Sequence, residues 1–269
     1  YAPVGLQESQ YVSVLGAREI HRIVEQQSQS ERLFPSDNHV WGNFNYNQFD
    51  SEGDSIRYTL GAGATLGTAQ VGVLVSQSTS DITDATELES ISYGVYFSTG
   101  ESTGWQWNGY AGASKGETTS TIATIFCPEV DSTINFEPEG DGTQFLLSGA
   151  YMYDKGSFTW GPTFGLEYAS TELDGSIKPG ANLSAMEFDS GKLDSLRFLL
   201  GVRADFNAGS RIRPYLSAQW AHEFEGESDG YSATFEGASF DVNAPIQLNE
   251  DSLILRAGML AEISESWHG

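Results

Sequence analysis

Four histidines, one cysteine and 37 acidic residues are the groups of this 269-residue chain able to bind a metal or activate a nucleophile. Their spacing supports neither. His21, His39, His222 and His268 are scattered, with no H-x-x-x-H, H-E-x-x-H or cysteine–histidine zinc spacing. His222 and Glu223 are adjacent, which in a strand puts their side chains on opposite faces. Cys127 is the only cysteine, so no intrachain disulfide forms, and it lies in a long polar connection without a nearby histidine. There is no G-x-S-x-G elbow, no phosphate loop and no EF-hand spacing. The acidic pair Glu137 and Glu139 falls in a loop. The sequence therefore predicts no catalytic residues, no metal site and no cofactor.

The remaining charged side chains follow another pattern, which belongs to the elements that carry them. Arg57, Glu167, Arg197, Arg203, Arg213, Glu223, Arg256 and Glu262 all stand on the polar side of segments that alternate polar with apolar residues. In Ser55–Leu66 the even positions are wholly apolar, and the odd ones are Ser, Arg, Thr, Gly, Gly and Thr. A period of two is that of a strand with unlike faces. Ten such segments are predicted near 38–49, 55–66, 68–78, 88–98, 103–114, 143–154, 157–170, 193–207, 210–224 and 251–264. The connections at Gly67, 99–102, 155–156 and 208–209 are tight, whereas 50–54, 79–87, 115–142, 171–192 and 225–250 are longer. Short turns on one rim and long loops on the other is the arrangement of a bacterial outer-membrane barrel, with the short turns in the periplasm and the long loops extracellular.

The apolar sets give the lipid-facing side: Ile56, Tyr58 and Leu60; Val71, Val73 and Val75; Phe158, Trp160, Phe164, Leu166 and Tyr168; Leu196, Phe198, Leu200, Val202 and Phe206; Leu253, Leu255, Met259 and Ile263. Trp105, Tyr153, Phe158, Trp160 and Phe206 lie beside the short turns, where an interfacial aromatic girdle belongs. A charge facing mid-bilayer lipid costs roughly 2–4 kcal/mol, so the eight charged residues above are predicted to line the lumen. Inward glycines, among them Gly61, Gly63, Gly72, Gly94, Gly161 and Gly258, leave room beside inward Tyr96, Tyr110 and Tyr215 or relieve curvature. Pro162 lacks a ladder donor, and a local irregularity is expected there.

Residues 8–33 differ from the rest. Tyr11, Val14, Leu15, Ala17, Ile20, Ile23 and Val24 recur at helical spacing, Arg18, Glu19, Arg22 and Glu25 decorate the other faces, and Pro35–Asn38 ends the helix. No apolar run approaches the length of a membrane-spanning helix. A net charge of −24 argues against nucleic acid as a partner. The acid gathers in the long connections, at Glu117, Glu129, Asp131, Glu137, Glu139 and Asp141, and at Glu225, Glu227, Asp229, Glu236 and Asp241. Solvation of exposed loops is the ordinary reading, with divalent-cation binding and adaptation to a salty habitat as the alternatives. Tyr1 begins no signal peptide, so the chain is expected to be processed or incomplete at that end.

The helix followed by Val40-Trp41-Gly42, the strand Arg213–Phe224 with its P-Y…H-E-F pattern, the segment Ser232–Ala238 and the strand Asp251–Gly258 resemble the translocator domain of autotransporters (type V secretion). The resemblance extends from residue 8 to near the end of the chain. It implies an all-β, antiparallel up-and-down transmembrane barrel with the N-terminal helix in its lumen. Residues 1–37 would be a linker carrying the plug helix, and 38–269 a barrel with ten of the family's twelve strands, incomplete at its C-terminus. The same resemblance implies export and anchoring of an N-terminal passenger. Its implied partners are outer-membrane lipid and lipopolysaccharide, the barrel-assembly machinery and the chain's own passenger. The lumen charges would face the helix, with Arg57, Arg197, Arg203 and Glu167 as a set toward residues such as Glu19, Glu25, Arg18 and Arg22, no individual pairs being assigned. The residues alone leave two other readings open: a stand-alone porin or adhesin using its acidic loops, and a soluble binding module or structural subunit.

Overall fold

The computed structural model describes residues 4–33, 37–48, 53–83, 86–123, 133–136, 138–177, 186–206, 212–228, 231–235, 238–242, 247–264 and 267–268. One helix, α1 (Val4–Leu33), precedes β1 (Asn38–Gln48), β2 (Asp54–Leu66), β3 (Ala69–Thr83), β4 (Thr86–Thr99), β5 (Gly104–Ala123), β6 (Thr133–Phe136) and β7 (Glu139–Asp154). There follow β8 (Phe158–Ile177), β9 (Met186–Phe206), β10 (Ile212–Glu225), β11 (Tyr231–Phe235), β12 (Ala238–Val242), β13 (Asp251–Ser264) and β14 (Trp267–His268). The ten long strands pair with their sequence neighbours in one antiparallel sheet that curls around α1. This is the up-and-down arrangement expected from the alternation.

The two faces sort as the pattern predicts. Ile56, Tyr58, Leu60, Val71, Val73, Val75, Leu200, Val202, Leu253, Leu255 and Met259 are exposed on the outside, while Arg57, Thr59, Ser76, Tyr96, Tyr110, Glu167 and Arg197 are buried inside. Among the described residues no helix is long and apolar enough to cross a membrane, so any crossing is made by strands.

The tight turns lie on one rim. Gly67, Gly100, Gly104 and Gly156 all have positive φ, a conformation glycine adopts without steric cost. Asp154 accepts a hydrogen bond from the Gly156 amide at 2.6 Å and fastens that turn. On the opposite rim several strands run further than the alternation suggests. β3 and β4 close to within Thr83↔Thr86, β5 continues to Ala123, β8 to Ile177, and β9 begins at Met186. Much of what reads as loop in 79–87, 115–142 and 171–192 is therefore ladder. Past the lipid boundary a strand has no need of an apolar face, so pairing continues where the alternating signal stops.

Within 225–250, which reads from the sequence as a long connection, β11 pairs antiparallel with β12 and also with the extended end of β9. At Pro162 the β7–β8 ladder is interrupted, pairing at Ala150↔Thr163 and again at Tyr153↔Trp160 in unchanged register. Cys127, Glu129, Asp131, Glu137, Asp229 and Glu236 lie outside the described residues.

Ten strands is an even number, but among the described residues β1 pairs only with β2, and β13 pairs only with β10 and the two-residue β14. The helix touches both sides of this seam. Asn45 on β1 bonds Glu19, and Arg256 on β13 lies 3.5 Å from Glu25.

Candidate functional site: the helix inside the lumen

The helix is buried on several faces although much of it is polar. Ser9, Gln10, His21 and Ser28 are as buried as Val14 and Ile20. A surface helix would bury one stripe only, so the amphipathic segment is enclosed by a polar wall.

Its direction is fixed by contacts at both ends. Near its start, Gln10 donates to the Gly191 carbonyl at 2.6 Å, on the part of β9 next to the long connection. Near its end, Arg32 donates to the carbonyls of Trp107 at 3.0 Å and Thr99 at 3.3 Å, beside the tight β4–β5 turn, and also bonds Asn108. A cation in the last turn also opposes the partial negative charge of the helix C-terminus. Thirty residues rise about 45 Å, enough to span a hydrocarbon core of about 30 Å. The N-terminal end of α1 therefore faces the long-connection rim, and its C-terminal end the short-turn rim.

Between the ends the wall meets the helix in layers. Arg18 pairs with Glu223 and donates to Ser195 Oγ at 3.0 Å, and Ser195 in turn donates to Glu223 at 2.9 Å. His21 lies with Nδ1 3.7 Å from Glu167 and its ring edge-on to Tyr110, with centroids 5.8 Å apart. Glu25 approaches Arg256, which donates to Gln219 at 2.8 Å, and Gln26 donates to Tyr215 Oη at 2.9 Å. Gln29 turns its amide oxygen toward Arg203 at 2.6 Å. At the lower end Glu31 meets His39 and accepts from Tyr96 Oη at 3.2 Å, while Trp41 Nε1 donates to the same phenol at 2.9 Å.

Small residues make this packing possible. A Cβ on Gly72 would lie 2.4 Å from the Tyr96 ring, one on Gly94 2.5 Å from Tyr110 and one on Gly258 2.7 Å from Tyr215. Each inward tyrosine lies flat over glycines of the neighbouring strand and extends toward the helix.

Of the eight lumen candidates, Arg57, Glu167, Arg197, Arg203 and Glu223 are buried inside, and Arg213 and Arg256 are half-buried there. Glu262 lies on β13 opposite His268, and its side chain falls outside the described residues. The individual partners, which the sequence did not assign, come from the structure. Arg197 pairs with Glu167, with a bond of 2.8 Å from Nε, and Arg203 with Asp205 at 2.9 and 2.6 Å, so both find carboxylates in the wall. Arg18 meets Glu223, and Glu19 is held by Arg22 and Asn45 while sharing a cavity lining with Arg57. For Arg197 and Arg203 the carboxylate lies on the next strand and two residues along the same strand, respectively, whereas Arg256 turns to Glu25 of the helix.

Sequence reading did not single out His21, Glu31, Arg32, His39 or Asn45 as contact residues. The stretch Gln26–Arg32 has no apolar spacing to follow. An unbroken polar run continuing a predicted helix was the available signal that its end, too, lies in a polar enclosure.

A membrane-type barrel filled by a helix from its own N-terminal side defines the class. Residues 32–269 match the family model described as "Autotransporter beta-domain", and the chain belongs to that family. Autotransporter β-domains are outer-membrane barrels. No curated protein matches the chain. Among solved structures it is similar to the translocator domain of autotransporter NalP from Neisseria meningitidis, with 15% identity and a TM-score of 0.71, covering 100% of this chain and 91% of that one. It is also similar to the β-domain of the Bordetella autotransporter BrkA, with 13% identity and a TM-score of 0.56, covering 85% of this chain and 100% of that one. At such identities the likeness is one of fold.

Proposed function

We propose that the chain exports a passenger attached to its N-terminus across the outer membrane, anchors it there, and is plugged afterwards by α1. The direction of α1 carries this reading. Its N-terminal end lies at the long-connection rim, so any polypeptide ahead of it leaves the barrel on that side. Short turns face the periplasm in such barrels, which makes the long-connection rim the extracellular one. Folding of the barrel around the helix would supply the energy, with the barrel-assembly machinery, lipid and lipopolysaccharide as partners. The charged lumen residues would hold the helix and would have no catalytic part.

Planar-bilayer recording tests the plug. The full-length protein passes little current, and removal of residues 4–33 raises single-channel conductance severalfold. Equal conductance of the two forms contradicts plugging and favours a stand-alone porin.

A further inference from the structure

Of the fully buried arginines in the described residues, Arg197 and Arg203 pair with Glu167 and Asp205, whereas Arg57, only 5% exposed, has no carboxylate within 4 Å. Among the described residues its hydrogen bond runs from Nη1 to Ser76 Oγ at 3.2 Å. Glu19 shares its surroundings without a direct contact, and a buried guanidinium without a close counter-charge is costly. The surroundings are arranged to keep it in place. Gly16 interrupts the interior of α1, where glycine is unfavourable relative to alanine. A Cβ there would stand 2.5 Å from Arg57 Nη2.

Beside Arg57 is a cavity of about 350 Å³ between residues 12–19 of α1 and the wall. Arg18, Arg57, Arg197 and Arg256 all line it, and Glu19 is the one carboxylate on its lining. Arg18, Arg197 and Arg256 lean on Glu223, Glu167 and Glu25, none of which faces the cavity, and Glu19 is engaged by Arg22 and Asn45. Serine hydroxyls stand among the other lining groups, beside the amides of Asn47 and Gln48 and the apolar Val12, Leu15 and Leu88. Ser80 donates to Ser55 at 2.9 Å, which leaves the Ser55 proton uncommitted, and the Ser78–Ser90 bond at 2.8 Å leaves one more. In a chain of net charge −24, this concentration of positive charge and hydroxyl donors is local design and does not follow from bulk composition.

We infer that the cavity beside the helix binds a small inorganic oxyanion, with Arg57 as its principal donor. The planar guanidinium fork matches two oxygens of such an ion, and Ser55 with one of Ser78 or Ser90 donates to the others. The bound anion supplies the close counter-charge that Glu19, held by Arg22 and Asn45, does not, and fastens Arg57 against α1 at Gly16.

The test is calorimetric titration of the full-length protein, folded in neutral detergent, with inorganic phosphate at an ionic strength held constant by gluconate. One saturable site per barrel is expected. Arg57→Gln weakens binding at least tenfold. Arg57→Lys, which keeps the charge and loses the fork, weakens it severalfold and serves if the glutamine variant does not fold, as judged by resistance to unheated detergent. Absence of saturable binding in the natural protein, or equal affinity in a folded Arg57 variant, overturns the inference. Neither outcome bears on export, which is read separately from the side of the membrane on which the N-terminus appears.

Discussion

Arg18 and Glu223 show how a single contact joins helix and wall. Glu223 is almost wholly buried, accepts from both Ser195 and Arg18, and has no solvent to replace them. Glu223→Gln leaves the Arg18 charge without its partner and should lower stability by about 3 kcal/mol, the low end for breaking a buried pair, because the lumen is polar. Replacing both residues together, by Arg18→Met and Glu223→Gln, should recover most of that loss, and thermal unfolding of the natural protein, the two single variants and the double variant measures the coupling in a double-mutant cycle. Gly72→Val tests the seat of Tyr96. Its Cβ would lie 2.4 Å from the ring, so about 1–3 kcal/mol of overpacking is expected in the same assay. The direction in which Arg57, Arg197 or Glu223 points was legible from its place in an alternating segment. Its partner was not, because a sheet brings together residues such as Glu167 and Arg197 that are far apart in sequence, and register is absent from a one-dimensional pattern.

The strands are the part of the molecule most legible in sequence where lipid demands two unlike faces, and least legible where it does not. β8 reads clearly from Phe158 to Ser170, and its last residues toward the long connection, Thr171–Ile177, carry no apolar alternation yet still pair with β9. Hydrogen exchange should therefore find the Thr171 and Leu173 amides protected about as well as those of Phe164 and Leu166. Fast exchange there would contradict the ladder. β8 also has its constraint at Gly161, where a Cβ would fall 1.9 Å from the Tyr151 carbonyl oxygen. Backbone cannot yield as a side chain tip does, so Gly161→Ala should impair barrel folding, seen as a larger fraction that unfolds in unheated detergent. The helix was legible in its apolar half, through Val14, Ile20 and Ile23, and not in its polar half, where Glu31 and Arg32 make the contacts that fix its lower end.

At the scale of the whole molecule the barrel is a wall and the helix a thread with a direction. Composition, alternation and loop lengths together gave the outer-membrane barrel, and the amphipathic segment gave its occupant. The direction of the thread came only from the contacts of Gln10 at one rim and Arg32 at the other. That direction distinguishes a translocator from a barrel whose helix is merely filler. An epitope placed immediately ahead of Tyr1 in the full-length protein, and probed with antibody on intact cells, reads it out. Export and anchoring require the epitope to be labelled on unpermeabilised cells and to remain with the outer-membrane fraction. Labelling only after the outer membrane is permeabilised would show that the N-terminal chain stays inside, and the translocator reading would be wrong.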